Sequence, residues 1–392
     1  MSTVLFVTNG LATRSGFQTQ AITMLKGLAE DGQSIAVLDF EESQNKVAPP
    51  LPVPRQVTVT MRTKGPLALL SAAVAVKRLA SEIDAQAVHA RGHVAGIVAC
   101  LSRLLGAPQY IMDTRGVAIQ EGVAMGKWRA GSLYHAVLLV LEKLIFRRAR
   151  HVLAVSEPMR QYILTRAPKA RVTVVPCCVP EGWFKYREEW RRARREVLGL
   201  AGKFVLTYSG GTDTWQQIGP MFDLFATLHQ SLPQAHLLLL SNGDQDVIRR
   251  EVSSRGIGEE SYTLISVPHG EVPNYLVAAD SALLLRDDSI INRVASPVKF
   301  AEYLLSGLPV VLTDGIGDVS TLVGHTGVGT CVHPARPSDA LGYLRVLAGM
   351  NEEDRETLRE RCVSVGNQQF IITKYLDVYR SIYARLSGGG GR

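Results

Sequence analysis

Eleven short apolar runs, separated by longer stretches of helical periodicity, constrain the fold of this chain more than any other feature. In the first half they are "VLFVT" (4–8), "SIAVLDF" (34–40), "AVHA" (87–90), "YIMD" (110–113), "VLAVS" (152–156) and "VTVVP" (172–176). Amphipathic stretches lie between them, "FQTQAITMLKGLAEDG" after the first and "GIVACLSRLLGA" after the third. Short runs that alternate with helical patterns are the signature of parallel strands joined by crossover helices. A charged stretch, "YREEWRRARREVLGL" (186–200), interrupts the rhythm, and "FVLTYSG" (204–210), "AHLLLLSNG" (235–243), "YTLISV" (262–267), "SALLLRD" (281–287) and "PVVLTDG" (309–315) restart it. The pattern predicts two doubly wound α/β domains in tandem, residues 1–185 and 200–366. Ligands of such sheets bind beyond the carboxyl ends of the strands, so a cleft between the two sheets is the expected site. The segment "NQQFIITKYLDVYRSIYARL" (367–386) reads as one amphipathic helix, and "SGGGGR" (387–392) as a flexible tail.

Length and composition agree with that division. A chain of 392 residues exceeds one compact domain and suffices for two cores. With 46% hydrophobic and 20% charged residues, disorder is not expected. Five cysteines, Cys100, Cys177, Cys178, Cys331 and Cys362, are odd in number and lack CxxC spacing, which points away from disulfide and zinc frameworks. Neither a signal peptide nor a membrane-spanning stretch is read, so a cytoplasmic location is expected. The net charge of +7 is uneven: residues 1–180 hold 21 Lys/Arg against 11 Asp/Glu, and residues 181–392 hold 22 against 25. A basic first half suits an anionic partner, either acidic lipid headgroups or a phosphorylated substrate, or is simply a basic surface. No nucleic-acid partner is expected.

One stretch carries an anomaly. In "ASPVKFAEYLLSGLPVV" (295–311) Ser296 is a good N-cap, Pro297 suits the first turn, and Gly307 with Pro309 stops the helix. Glu302 falls only about 40° from Val298 on the wheel, at the edge of the apolar face. An unpaired carboxylate there is costly, so it needs a partner, and a ribose diol would serve. Lys299, one turn earlier, beside free N–H groups of a helix N-terminus, makes an anion site suited to phosphate. The alternative is an i,i+3 Lys–Glu pair on a solvated face.

The run "SPVKFAEYLLSGLPVV" followed by "TDGIGDVSTLV" resembles the nucleotide-sugar motif of glycosyltransferase family 4. "HVLAVSEPMRQYIL", "RVTVVPCCVPEGWF" and "VPHGEVPNYLVAADSALLL" resemble that family in order and place, and "YIMDTRGVAIQEGV" resembles a bacterial subgroup from surface-polysaccharide loci. The resemblance implies the GT-B fold, two facing Rossmann-like domains with a C-terminal helix crossing back. It implies metal-independent, retaining transfer of a sugar from a nucleotide diphosphate donor to a hydroxyl, with no cofactor. The acceptor would be a saccharide, a lipid-linked saccharide at the inner membrane face, or a small molecule. Glu302 matches the glutamate that bonds the ribose, whereas Val294 stands where the motif's first glutamate would be. The family's Arg/Lys pair after the first donor-domain strand is missing from "YSGGTDTWQQIG" (208–219). Lys299 or the backbone of the Ser296 turn would take the place of that first glutamate, and Lys299, Arg293, Arg286 or helix N-termini would meet the leaving diphosphate.

In the first half, Gly16 in "TNGLATRSGFQTQ" (8–20) is a candidate for close approach to the donor phosphates. His89, Arg91 and His93 of "VHARGH" are candidates for the acceptor, and two histidines without a carboxylate make a poor metal site. Asp113 and Arg115 would orient the acceptor hydroxyl. Ser156 and Glu157 read as a helix cap. The helix "LEKLIFRRARH" (141–151) reads as core packing with a basic rim, or as a contact with acidic lipid. Competing functions are a natural-product glycosyltransferase, a nucleotide-sugar epimerase, and a non-catalytic relative that binds without transfer.

Overall fold

A computed structural model describes residues 3–9, 15–41, 51, 53, 55–60, 65–212 and 214–387. The chain forms two compact units. The first contains residues 1–177, 294–296 and 372–392, and the second residues 178–293 and 297–371. The change of unit at 177/178 precedes the charged stretch 186–200, which belongs to the second unit as a helix.

The first unit is built on a seven-stranded parallel sheet: β1 (Val4–Asn9), β2 (Ile35–Glu41), β3 (Arg55–Thr60), β4 (Ala87–Arg91), β5 (Tyr110–Asp113), β6 (His151–Ala154) and β7 (Val172–Val174). The spatial order is β3-β2-β1-β4-β5-β6-β7. Helices α1 (Ser15–Glu30), α2 (Pro66–Glu82), α3 (His93–Leu104), α4 (Ala118–Ala124), α5 (Leu133–Arg148) and α6 (Glu157–Arg166) connect the strands. Every residue of β2, β4, β5 and β6 is buried, as expected where helices cover both faces of a parallel sheet. Ser132 and Ser156 cap α5 and α6 by accepting from the backbone N–H groups of His135 and Met159. β3 was not expected from sequence: "RQVTVT" alternates apolar and polar residues at the sheet edge instead of forming an apolar run.

The second unit has six parallel strands, β8 (Phe204–Ser209), β9 (Ala235–Leu240), β10 (Tyr262–Ile265), β11 (Ser281–Leu284), β12 (Val310–Thr313) and β13 (Gly329–Val332), in the order β10-β9-β8-β11-β12-β13. Alternate residues of one strand enter opposite cores. Val205, Leu238, Leu284 and Leu312 pack with Phe300 and Leu304, whereas Leu206, Leu237, Leu283 and Val311 pack with Phe222 and Phe225. Its helices are α7 (Glu188–Val197), α8 (Ile218–Ser231), α9 (Gln245–Ser253), α10 (Val272–Leu276), α11 (Ile290–Arg293), α12 (Val298–Leu305), α13 (Val319–Thr326), α14 (Leu341–Gly349) and α15 (Glu352–Gln369).

The segment 367–386 is not one helix. α15 ends at Gln369, a short 3-10 turn spans Ile372–Tyr375, and α16 (Leu376–Ser387) packs in the first unit against α1 and β4. Phe370 and Ile371, both buried in the core of the second unit that holds Phe300 and Leu304, interrupt the helical path. Residues 388–392, most of the expected tail, lie outside the described residues.

Candidate functional site

In the second unit the groups singled out in sequence gather at the carboxyl ends of the strands, where ligands of parallel sheets bind. α12 begins at Val298, with Pro297 at its cap and no side-chain cap. Ser296 is therefore not the cap: its Oγ accepts from the Cys177 backbone N–H at 3.0 Å. Tyr303, fully buried, fixes α12 to the end of β8 by accepting from the Ser209 N–H at 2.9 Å. Gly307 closes the helix with φ +74°, a conformation that favours glycine.

Lys299 lies on the first turn of α12. Its Nζ donates to the Tyr208 hydroxyl at 3.0 Å and to Gln216 Oε1 at 3.1 Å, and stands 4.5 Å from the Tyr208 ring centroid. Gly210 makes this approach possible. Its φ is +146°, and a Cβ there would fall 1.9 Å from the ammonium. The β8 loop carries no cation of its own between 208 and 219, and α12 supplies one beside it.

Glu302, one turn further on, is 2% exposed. Its Oε1 meets His269 Nε2 at 2.9 Å, and the imidazole sits edge-on to Trp183 at 5.0 Å. The hydrogen bond to Glu302 raises the His269 pKa above the ordinary imidazole value, against the opposing effect of burial. This partner was missed in sequence, where "VPHGE" was not linked to Glu302. Arg286 is buried, donating to Asn292 Oδ1 at 3.2 Å. Arg293 is more than half exposed and pairs with Asp288 at 3.2 Å, so its expected role at the leaving phosphate has no geometric support.

In the first unit Asp113 is the hub of a buried cluster. Register pairs it with Arg91 across β4 and β5. Its carboxylate lies 2.8 Å from both Arg91 Nη1 and Arg115 Nε, and 3.4 Å from His89 Nε2. Burial would push its pKa up, but Arg115 and Arg91 outweigh this and hold it below the usual carboxylate range. The outer layer is α16: the Tyr383 hydroxyl meets His89 Nδ1 at 2.7 Å and Tyr379 accepts from Arg115 at 3.0 Å. Burial keeps His89 below its ordinary value.

His89, Arg91 and Asp113 are fully enclosed. The acceptor role expected for His89 and Arg91, and the orienting role expected for Asp113, are corrected to packing: no surface of these residues is open to a ligand. Arg115 keeps a little exposure but is engaged by Asp113, Tyr379 and the Val175 carbonyl. His93 instead meets Glu142 at 2.9 Å, in a network completed by Tyr162 and Arg166. Gly16 stands in the first turn of α1, and the loop before it, 10–14, lies outside the described residues. Ser156, besides capping α6, donates to the Val294 carbonyl at 2.8 Å, so Val294 contributes backbone and not an acid.

Residues 8–178 match the family described as glycosyl transferase 4-like domain. Among curated proteins none matches the chain significantly. Sucrose-phosphate synthase from Thermosynechococcus elongatus superposes with a TM-score of 0.74 at 16% identity, covering 98% of this chain and 100% of that one. Anabaena HepE in complex with UDP-glucose gives 0.72 at 16% identity over 97% and 100%. WaaG, a glycosyltransferase involved in lipopolysaccharide biosynthesis, gives 0.70 at 15% identity over 96% and 99%. The chain therefore has the GT-B fold found in these glycosyltransferases, and its residues 8–178 are similar to the glycosyl transferase 4-like domain.

Proposed function

We propose that this protein is a retaining glycosyltransferase that moves a sugar from a nucleotide diphosphate donor to a hydroxyl acceptor in bacterial polysaccharide or glycolipid assembly. The observation that carries the reading is α12. It holds a cation against the glycine loop after β8 and, one turn later, a buried carboxylate beside His269. Such a pair addresses a phosphate and a diol on one extended molecule. The complexes of Anabaena HepE with UDP and with UDP-glucose support this class of donor. In this reading Lys299 meets the diphosphate, and Glu302 accepts from the ribose hydroxyls while His269 orients it. No protein nucleophile or metal is required, because the leaving phosphate takes the acceptor proton and the protein supplies orientation and charge. The basic first half would bring the enzyme to an anionic membrane face, where a lipid-linked acceptor resides.

A second reading, binding of the donor without transfer, is favoured by Val294 and by the enclosure of Asp113, His89 and Arg91. Titration with a panel of nucleotide sugars, read for binding and for released nucleotide diphosphate, separates the two. Binding with turnover supports transfer, and binding without turnover supports the second reading. Glu302→Ala should weaken donor binding about 10- to 100-fold, the worth of hydrogen bonds to a charged group. Unchanged affinity would remove Glu302 from the donor site.

A further inference from the structure

We propose that Asp287 reads the sugar of the donor, accepting hydrogen bonds from the hydroxyls of a neutral hexose ring held at the carboxyl end of β11. The proposal rests on the reading of α12 as the nucleotide diphosphate site and extends it by one group, since it names the side chain that meets the part to be transferred.

The order of groups along the ligand fixes where that part must lie. Glu302 and Lys299 stand about 4.5 Å apart along the axis of α12, with the ammonium nearer its N-terminus. A ribose at Glu302 and a diphosphate at Lys299 therefore direct the sugar past the first turn of α12, towards the segment that follows β11. Sheet register leads to the same segment. β11 lies between β8 and β12, with Ala282 opposite Thr207 and Leu284 opposite Leu312. Carried forward, parallel pairing sets residues 285–287 level with the glycine loop 210–212 that Lys299 meets, one strand spacing of about 4.8 Å away. The backbone N–H of Arg286 donates to Thr313 Oγ1 at 2.9 Å, which anchors the segment at that level. Burial raises the pKa of Tyr303, the phenol that holds the end of β8, and the Arg286 guanidinium is near enough to oppose this.

Asn292 arranges this segment from beneath. It is 1% exposed and bonds in both directions. Its Oδ1 accepts from Arg286 Nη1 at 3.2 Å, and its Nδ2 donates to Asp287 Oδ1 at 2.5 Å and to the Asp287 carbonyl at 3.0 Å. Its own carbonyl accepts from the Gly317 N–H at 3.2 Å, which ties the segment to the loop after β12. One buried amide thus holds a guanidinium and a carboxylate side by side. Asp287 is half-buried, and Oδ1 is the oxygen that Asn292 takes. Its Oδ2 enters no hydrogen bond or ion pair among the described residues. Stapling the loop needs a single acceptor, which an amide at this position would supply as well as an acid. The second, charged oxygen is a directed acceptor of the kind that sugar hydroxyls satisfy. Its charge repels a sugar acid, so the ring it fits is neutral. Asp288 beside it is exposed and pairs with Arg293 at 3.2 Å.

Calorimetric titration of the full chain with UDP-glucose, UDP-galactose, UDP-glucuronate and GDP-mannose, each beside bare UDP or GDP, isolates the share of the sugar. For the nucleotide sugar that the native chain binds most tightly, Asp287→Ala should raise the dissociation constant about 10-fold or more, the worth of a hydrogen bond to a charged group. The constant for the bare nucleotide should stay within about twofold. Asp287→Asn keeps the acceptor for Asn292, so it should give a smaller loss at an unchanged thermal midpoint, which separates recognition from folding. Asp288→Ala, which removes the same charge one residue away, should change neither constant. Sugar-nucleotide affinity that survives Asp287→Ala, or a loss shared equally by the bare nucleotide, would overturn the proposal, and so would tightest binding of UDP-glucuronate. Failure of every nucleotide and nucleotide sugar to bind the native chain would overturn the donor reading itself, an outcome distinct from a failure confined to Asp287.

Discussion

Glu302 shows how a side chain can be placed by chain pattern and still leave its partner unread. The wheel puts it at the edge of the apolar face, and the structure buries it, with His269 as its partner. Because Glu302 raises the His269 pKa, the pair contributes stability that is fully present below the ordinary imidazole value. That contribution is lost as pH rises through the elevated value. Thermal midpoints measured across neutral pH should therefore fall more steeply for the native chain than for His269→Gln, which lacks the titrating group. Equal slopes would mean that the pair does not titrate as described. Gly210 offers a second test. A methyl group there meets both a left-handed backbone and the Lys299 ammonium. Gly210→Ala should cost about 1–3 kcal/mol of stability and displace Lys299. A chemical-denaturation midpoint equal to that of the native chain would show that the loop adapts at no cost.

Strands that read as unbroken apolar runs were legible because they are buried on both faces. β8 and β9, wholly buried, are examples. β3 and β13 were not legible, since one is an alternating edge strand and the other, "GTCV", is short and begins with glycine. The candidate site divides in the same way. Lys299 and Glu302 share one helix and their spacing is local, whereas Tyr208, Gln216 and His269 reach them from other elements. His89, Arg91 and Asp113 looked functional because charged groups at strand ends often are. Their enclosure depends on α16, nearly 300 residues after His89, as the His89–Tyr383 contact shows. Removing the hub exposes the arrangement. Asp113→Ala would leave Arg91 and Arg115 buried without their carboxylate and should destabilise the first unit by about 3–5 kcal/mol. Acid should act in the same direction: the contribution of Asp113 is present above the ordinary carboxylate value and is lost as pH falls below it. A loss of activity with no shift in the denaturation midpoint would instead assign Asp113 to chemistry.

The division of the chain into two units sets what can be separated. The first unit needs three segments, and its α16 comes from the far end of the sequence. The second unit is almost continuous, and it holds Tyr208, Gly210, Gln216, His269, Lys299 and Glu302. Both of its cores consist of residues from within that span. A fragment of residues 178–371 should therefore fold cooperatively and bind UDP within about threefold of the full chain, about 0.6 kcal/mol. Residues 1–371, which lack α16, should lose the unfolding transition of the first unit and keep that of the second. The charge cluster on β4 and β5 would there lose Tyr379 and Tyr383, and the exposed Arg91 and Asp113 would no longer be held in a low-dielectric setting. Calorimetry of both fragments beside the full chain provides the measurement. A 178–371 fragment that folds and fails to bind UDP would move the donor's essential contacts out of the second unit, and with them the role assigned to α12.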